Sequence, residues 1–137
     1  MAALRISEAT RLLGVSDDTL RRWVEAGRLE ARTDEVGRLV VEGAELARVA
    51  RERAERTELL EAGPIVSESA RNRFTGIVTR VTKDLVMAQV EIQAGPFRVV
   101  SLMSSEAATE LGLEPGVLAV ASVKSTNVVV EVPQQRA

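Results

Sequence analysis

The sequence predicts a two-domain α+β protein: helices joined by a tight turn and followed by a hairpin in the first half, short strands around a single helix in the second. Three observations carry this. Up to about residue 60 the apolar residues recur at helical spacing among many charges, whereas from residue 69 short β-branched runs alternate with Gly and Pro. The stretch EAGPIVSES separates the two patterns, and its Gly63-Pro64 pair stops the preceding helix. The charge density changes at the same place: residues 1–62 hold 11 basic and 13 acidic groups, residues 63–137 hold 7 of each. The division expected is 1–60, a linker at 61–67, and 68–133.

Composition removes whole classes of function. The 137 residues contain no histidine and no cysteine, so thiolate or imidazole zinc sites, disulfides and histidine acid–base chemistry are excluded. Trp23, Phe74 and Phe97 are the only aromatics, which leaves Val, Leu, Ala and Ile to build the cores. No apolar run approaches the roughly 20 residues needed to span a bilayer, and MAALRISEATRLL lacks a signal-like apolar centre. A cytoplasmic protein with no membrane partner is expected. The net charge is −2, so contact with nucleic acid would require a local patch. Basic residues are nearly all arginine, Lys83 and Lys124 being the exceptions.

In ISEATRLLGVSDDTLRRWVEAGRL, Ser7 reads as an N-cap, and Ala9, Leu12 and Leu13 as one apolar face. Gly14 tolerates the positive φ of a turn and Val15 plugs it. Ser16 caps a second helix, whose first turn carries Asp17 and Asp18 where the helix dipole favours anions. Leu20, Trp23 and Val24 form its buried stripe, leaving Thr19, Arg21 and Arg22 more exposed, and Gly27 ends it. RLEARTDEVGRLVV then reads as a hairpin from Leu29–Arg32 to Arg38–Val41, a wing whose arginines at 28, 32 and 38 stand near phosphate reach. Two short helices around a glycine turn place the second helix in a DNA major groove.

These residues resemble the MerR-like, excisionase-type winged helix-turn-helix over about the first 45 positions. The resemblance implies double-stranded DNA as a partner, contacted by Thr19, Arg21, Arg22, Arg28 and Arg38, with Trp23 facing the core. The alternative is a helix-turn-helix used only for protein contacts. VEGAELARVARERAERTELL continues with a thin stripe of Ala44, Leu46, Val49, Ala50, Ala54 and Leu60, a helix that packs on its own domain, pairs subunits or serves as a connecting rod.

The second half sets out RFTGIVTRV, LVMAQVEI, FRVVSLM, the helical SSEAATELGL, then VLAVASV and NVVVEV. Ser104 is the N-cap of the helix and Gly112 lies just past its end. Five strands with a helix between the third and fourth predict a small Greek-key barrel of OB-like architecture. The polar residues cluster at its margins: Ser69, Arg71 and Asn72 before the first strand, Ser104 and Ser105 at the helix start, and Lys124, Ser125 and Thr126 between the last two strands. Hydroxyls, N–H groups, one Arg and one Lys suit a tetrahedral oxyanion. No nucleophile with a paired base accompanies them, so binding rather than an enzyme is expected.

SARNRFTGIV, MSSEAATELGLEPG and VKSTNVVV together resemble the Mop or molbindin domain, also classed with TOBE domains, over residues 68–133. The resemblance implies molybdate or tungstate as the bound ligand, held by Ser69, Arg71, Ser104, Lys124 and Ser125, with Asn72 nearby and backbone at Ala70 and Ala107. Relatives often carry a hydroxyl at the position of Ala107, where this chain offers only its N–H. It also implies sites between subunits of a homo-oligomer, dimer or hexamer. The function expected is a molybdate- or tungstate-responsive transcriptional regulator. The alternatives are a molybdate storage or homeostasis protein, and a regulator whose β-domain only oligomerises.

Overall fold

The computed structural model describes residues 3–56 and 71–134; the stretch 61–67 lies outside them, as do Leu60, Ser69 and Ala70. The chain divides into two compact units, Met1–Leu59 and Leu60–Ala137.

The first unit runs β1 (Ala3–Arg5), α1 (Ile6–Leu13), α2 (Asp17–Glu25), β2 (Ala31–Thr33), β3 (Leu39–Glu42) and α3 (Gly43–Arg56). Gly14 adopts φ 67° and receives the end of α1, as the turn requires of a residue without a Cβ. Ser16 caps α2 by accepting from the Thr19 N–H at 3.2 Å. Ser7 is not a cap: α1 begins at Ile6 directly after β1, and the Arg5 N–H donates to the Glu8 carboxylate at 3.0 Å. β1 leaves no sequence signal, because three residues cannot display a period of two. It pairs with β3, Leu4 opposite Val41, on the side away from β2, giving the order β1-β3-β2.

The core of this unit joins Ile6, Ala9 and Leu13 of α1, Leu20 of α2, Leu29, Val41, and Leu46 with Val49 of α3. Full burial of a leucine such as Leu20 contributes about 1.5–3 kcal/mol. Leu12 departs from the expected face, being 68% exposed, because α1 packs through positions 6, 9, 10 and 13. Leu46 and Val49 tie the described part of α3 to its own unit, while Ala44 and Ala54 are exposed.

The second unit contains β4 (Asn72–Lys83), β5 (Met87–Ala94), β6 (Phe97–Ser104), α4 (Ser105–Glu110) and β7 (Leu118–Val123), with an antiparallel sheet in the order β6-β5-β4-β7. β4 serves two partners in succession: its first half pairs with β7, Asn72 opposite Val123, and its second half with β5, Lys83 opposite Ala88. A register shift between Val78 and Arg80 bends it where the partners change. Gly76 is required there, since a Cβ would stand 2.4 Å from the Gln93 carbonyl oxygen. Val78, Val90 and Ile92 form the buried core, flanked by half-buried Val99, Met103 and Leu113.

Two expectations need correction. Leu85 and Val86 belong to the β4–β5 turn, not to a strand, because the Asp84 carboxylate accepts the N–H groups of Val86 and Met87 and closes the chain there. The segment NVVVEV is not a strand of this sheet: Ser125–Asn127 form a 3-10 turn, and Val129 and Val130 are 85% and 82% exposed. The described sheet therefore has four strands of the five predicted.

Candidate functional site

In the first unit, α2 presents Arg21 and Arg22 to solvent. Thr19 is half-buried; its hydroxyl accepts from the Ser16 hydroxyl at 3.0 Å and from Arg22 Nη2 at 3.3 Å. Arg28, Arg32, Arg38 and Arg48 are engaged more heavily. Arg28 lies over the Trp23 ring, 4.6 Å from its centroid, and Arg53 approaches the same ring at 5.8 Å. Trp23 is thus half-buried packing, as its spacing predicts. Arg38 is bonded to Asp34 at the hairpin turn, Nε to Oδ2 at 3.3 Å. The Arg38 N–H and then that of Val36 hold the Asp34 carboxyl below its ordinary range. Arg32 is paired with Glu42, which raises its pKa. Arg48 is bracketed by Glu45 and Glu52 and donates to the Arg28 carbonyl at 3.1 Å. Of the arginines placed near phosphate reach, Arg32 and Arg38 are therefore neutralised by carboxylates within their own hairpin. Composition could not reveal those partners, although Glu45-Arg48-Glu52 is legible as a helical i, i+3, i+7 series.

In the second unit the register brings two separated motifs together. Asn72 opposite Val123 sets Arg71 and Lys124 just beyond the same end of the β4–β7 ladder, with Ser125 next to Lys124. Asn72 fixes that end of the ladder, since its Nδ2 donates to the Val123 carbonyl at 3.1 Å. Arg71, Lys124 and Ser125 are exposed, and among the described residues no carboxylate lies within ion-pair distance of either cation. Two cations beside a hydroxyl, with no described carboxylate paired to either, are chemically suited to an anion.

Ser104 and Ala107 are elsewhere. Ser104 ends β6 opposite Met87 and caps α4, its hydroxyl accepting the Ala107 N–H at 3.0 Å. That N–H is already engaged by the cap. Met87 in turn lies beside the Lys83–Ala88 pair, at the far end of β4 from Asn72. Across the 12 residues of β4 that is about 40 Å of chain at roughly 3.3 Å per residue. The start of α4 is fixed there by residues that carry no sequence signal of their own. Ser105 donates its N–H to the Val86 carbonyl at 2.8 Å, and its hydroxyl lies 2.7 Å from the Asp84 carbonyl oxygen. Lys83 Nζ reaches the Thr109 hydroxyl at 2.9 Å. The backbone N–H groups of Met87 and Val86 keep the Asp84 carboxyl ionised below its usual range.

Known proteins resemble the two units separately. A family model described as TOBE domain matches residues 68–130, and one described as helix-turn-helix domain matches residues 3–54. Molybdenum-pterin-binding protein 3 of Clostridium pasteurianum is 39% identical over 66 residues, which is 47% of this chain and 97% of that protein. The solved structure of MopII from the same organism is 37% identical, with a TM-score of 0.45, and spans 48% of this chain and 100% of that one. The cytoplasmic molybdate-binding protein ModG, solved with molybdate bound, is 38% identical with a TM-score of 0.47, over 49% of this chain and 48% of that one. Both families matched are binding domains rather than enzymes. Among the described residues no helix is long and apolar enough to cross a membrane.

Proposed function

As the chain belongs to the TOBE-domain family, with clostridial molybdenum-pterin-binding proteins among its relatives, and joins that domain to a helix-turn-helix domain, we propose that it is a cytoplasmic transcriptional regulator responsive to molybdate or tungstate. The observation that carries this reading is the register of β4 with β7, which sets Arg71 and Lys124 at one end, where among the described residues no carboxylate pairs with either. A tetrahedral dianion offers what those groups lack, and Ser69 and Ser125 add hydroxyl donors to it.

The separation of Ser104 from Arg71 along β4 supports a site shared between copies: the Arg71–Lys124 end of one with the α4 end of another. The exposed Val128, Val129, Val130 and Val132 support the same arrangement, since apolar side chains left uncovered in one copy gain most by adding a strand to another and closing an OB-like barrel there. Oxyanion binding then favours one spacing of the paired helix-turn-helix units, with the hairpin acting as a wing beside the groove. Coupling to DNA equals the ligand's differential affinity for the two arrangements.

Calorimetric titration of the full chain with molybdate, tungstate and sulfate tests the oxyanion part. Heat from molybdate or tungstate that sulfate does not reproduce is expected; silence from all three sinks it. Arg71→Ala and Lys124→Ala should each weaken the titration about tenfold or more, the loss of one charge-assisted hydrogen bond, while DNA affinity of the ligand-free protein stays unchanged. Gel shift on the DNA upstream of its own gene, with and without molybdate, tests the coupling. Retarded DNA whose fraction ignores the oxyanion speaks against a sensor, and DNA that is not retarded at all speaks for a store.

A further inference from the structure

The hydrogen bonds around the cap of α2 assign Thr19 a different role from the DNA contact expected of it. We propose that Thr19 is a positioning residue, which aims the Arg22 guanidinium at a guanine edge in the major groove and makes no base contact of its own. The inference rests on the DNA-binding reading of the helix-turn-helix and deepens it.

Three bonds form a short relay. The Thr19 N–H donates to the Ser16 hydroxyl oxygen at 3.2 Å, the Ser16 hydroxyl donates to Thr19 Oγ1 at 3.0 Å, and Arg22 Nη2 donates to the same oxygen at 3.3 Å. The first two fix the Thr19 side chain on the helix cap, and Thr19 is half-buried. An oxygen fixed in this way is a reference point for the arginine one turn later. The guanidinium uses one of its N–H donors there and keeps the others for a partner beyond the helix surface.

The contrast with the neighbouring arginines decides what that partner is. Arg32, Arg38 and Arg48 are held by carboxylates, so their charge is offset where they stand. Arg22 is held by a neutral hydroxyl, and among the described residues no carboxylate pairs with it. Its charge is undiminished and its direction is set. A guanidinium so arranged on an exposed helix face suits bidentate donation to O6 and N7 of guanine, which depends on orientation, more than contact with phosphate, which does not. Restricting the side chain beforehand also lowers the entropy lost on binding.

The test selects bound sequences from a random double-stranded DNA library with the full-length protein and with Thr19→Val, Thr19→Ser and Arg22→Ala. Wild type should enrich a guanine at one fixed position of the motif, and Arg22→Ala should abolish that preference. Thr19→Val, which keeps the shape and removes the hydroxyl, should lower discrimination at that same position roughly three- to tenfold, a lost or weakened hydrogen bond to a charged group. Its affinity for unselected duplex and the salt dependence of binding should match wild type, and Thr19→Ser should restore the preference. A uniform loss across all sequences with Thr19→Val would mean direct phosphate contact and overturn the proposal. An unchanged motif would overturn it as well. Thermal unfolding of each variant separates a damaged helix from a mis-aimed one: if Thr19→Ser melts as wild type does yet fails to restore the preference, the relay has no role. A wild type that retains no duplex at all removes the DNA-binding reading itself, an outcome distinct from failure of Thr19 alone.

Discussion

The two units solve the burial problem differently. Among the described residues the first unit leaves only two large apolar side chains exposed, Leu12 and Val36, and closes its core through both helices, the sheet and α3. The second exposes fourteen, including Phe97, Leu102 and the Val128–Val130 run, and its buried core cluster is Val78, Val90 and Ile92. The cations divide within each unit instead. Arg32, Arg38 and Arg48 of the first and Arg98 of the second find carboxylates close by, whereas Arg22 of the first and Arg71 and Lys124 of the second find none among the described residues. The first unit thus has little large apolar surface left to offer, whereas the second exposes side chains of the kind that mark an interaction surface.

That contrast can be broken most sharply at the first core. Leu20 is fully buried where α2 meets the rest of the unit, so Leu20→Ala should cost about 2–5 kcal/mol. A unit of this size is stable by only about 5 kcal/mol, so denaturant titration should show its transition shifted or lost while the β-unit unfolds as before. A joint loss of both units would mean that they unfold together. In the second unit the weak point is a backbone approach: Gly76→Ala drives a Cβ into the Gln93 carbonyl and should cost about 1–3 kcal/mol. Loss of amide exchange protection where β4 and β5 meet would show it, and unchanged protection would mean that the two strands can move apart freely.

Ser16→Ala removes the cap of α2 and should cost about 1 kcal/mol, read as a lower melting temperature of the first unit. The smallest effect on a single folded copy, and the most informative for the comparison, is expected from Val129→Ser with Val130→Ser. Both side chains are exposed, so the change should alter the unfolding of one copy by no more than about 0.5 kcal/mol. Sedimentation should nevertheless show smaller assemblies than wild type. Equal assembly in the double variant would mean that this run is ordinary surface.

Much of the first unit is legible in the sequence. Gly14 between two helical periods, Ser16 before two aspartates and Gly27 after the last turn each specify a local conformation through groups only a few positions away. The limits of α1 are less legible, because a three-residue strand has no period and its pairing with β3 is a tertiary event. The face of α1 differs from expectation at Leu12 for a related reason: periodicity names a stripe, and packing chooses which edge of it is covered. In the second unit the polar residues at the strand ends can be found by composition, but not which of them are neighbours.

The sequence alone determined the turns at Gly14 and Gly27, the caps at Ser16 and Ser104, the alternation of the β-half and the inventory of anion-suited groups, because these follow from interactions within about one helical turn or one strand. Only the tertiary structure decided three further matters. Register set Arg71 beside Lys124 and left Ser104 at the opposite end of β4. The hairpin and α3 decided which arginines meet a carboxylate and which keep their charge. Among the described residues the sheet ended at four strands, leaving the valines after Lys124 exposed. Each depends on residues far apart in the chain meeting in space, and no local preference encodes that meeting.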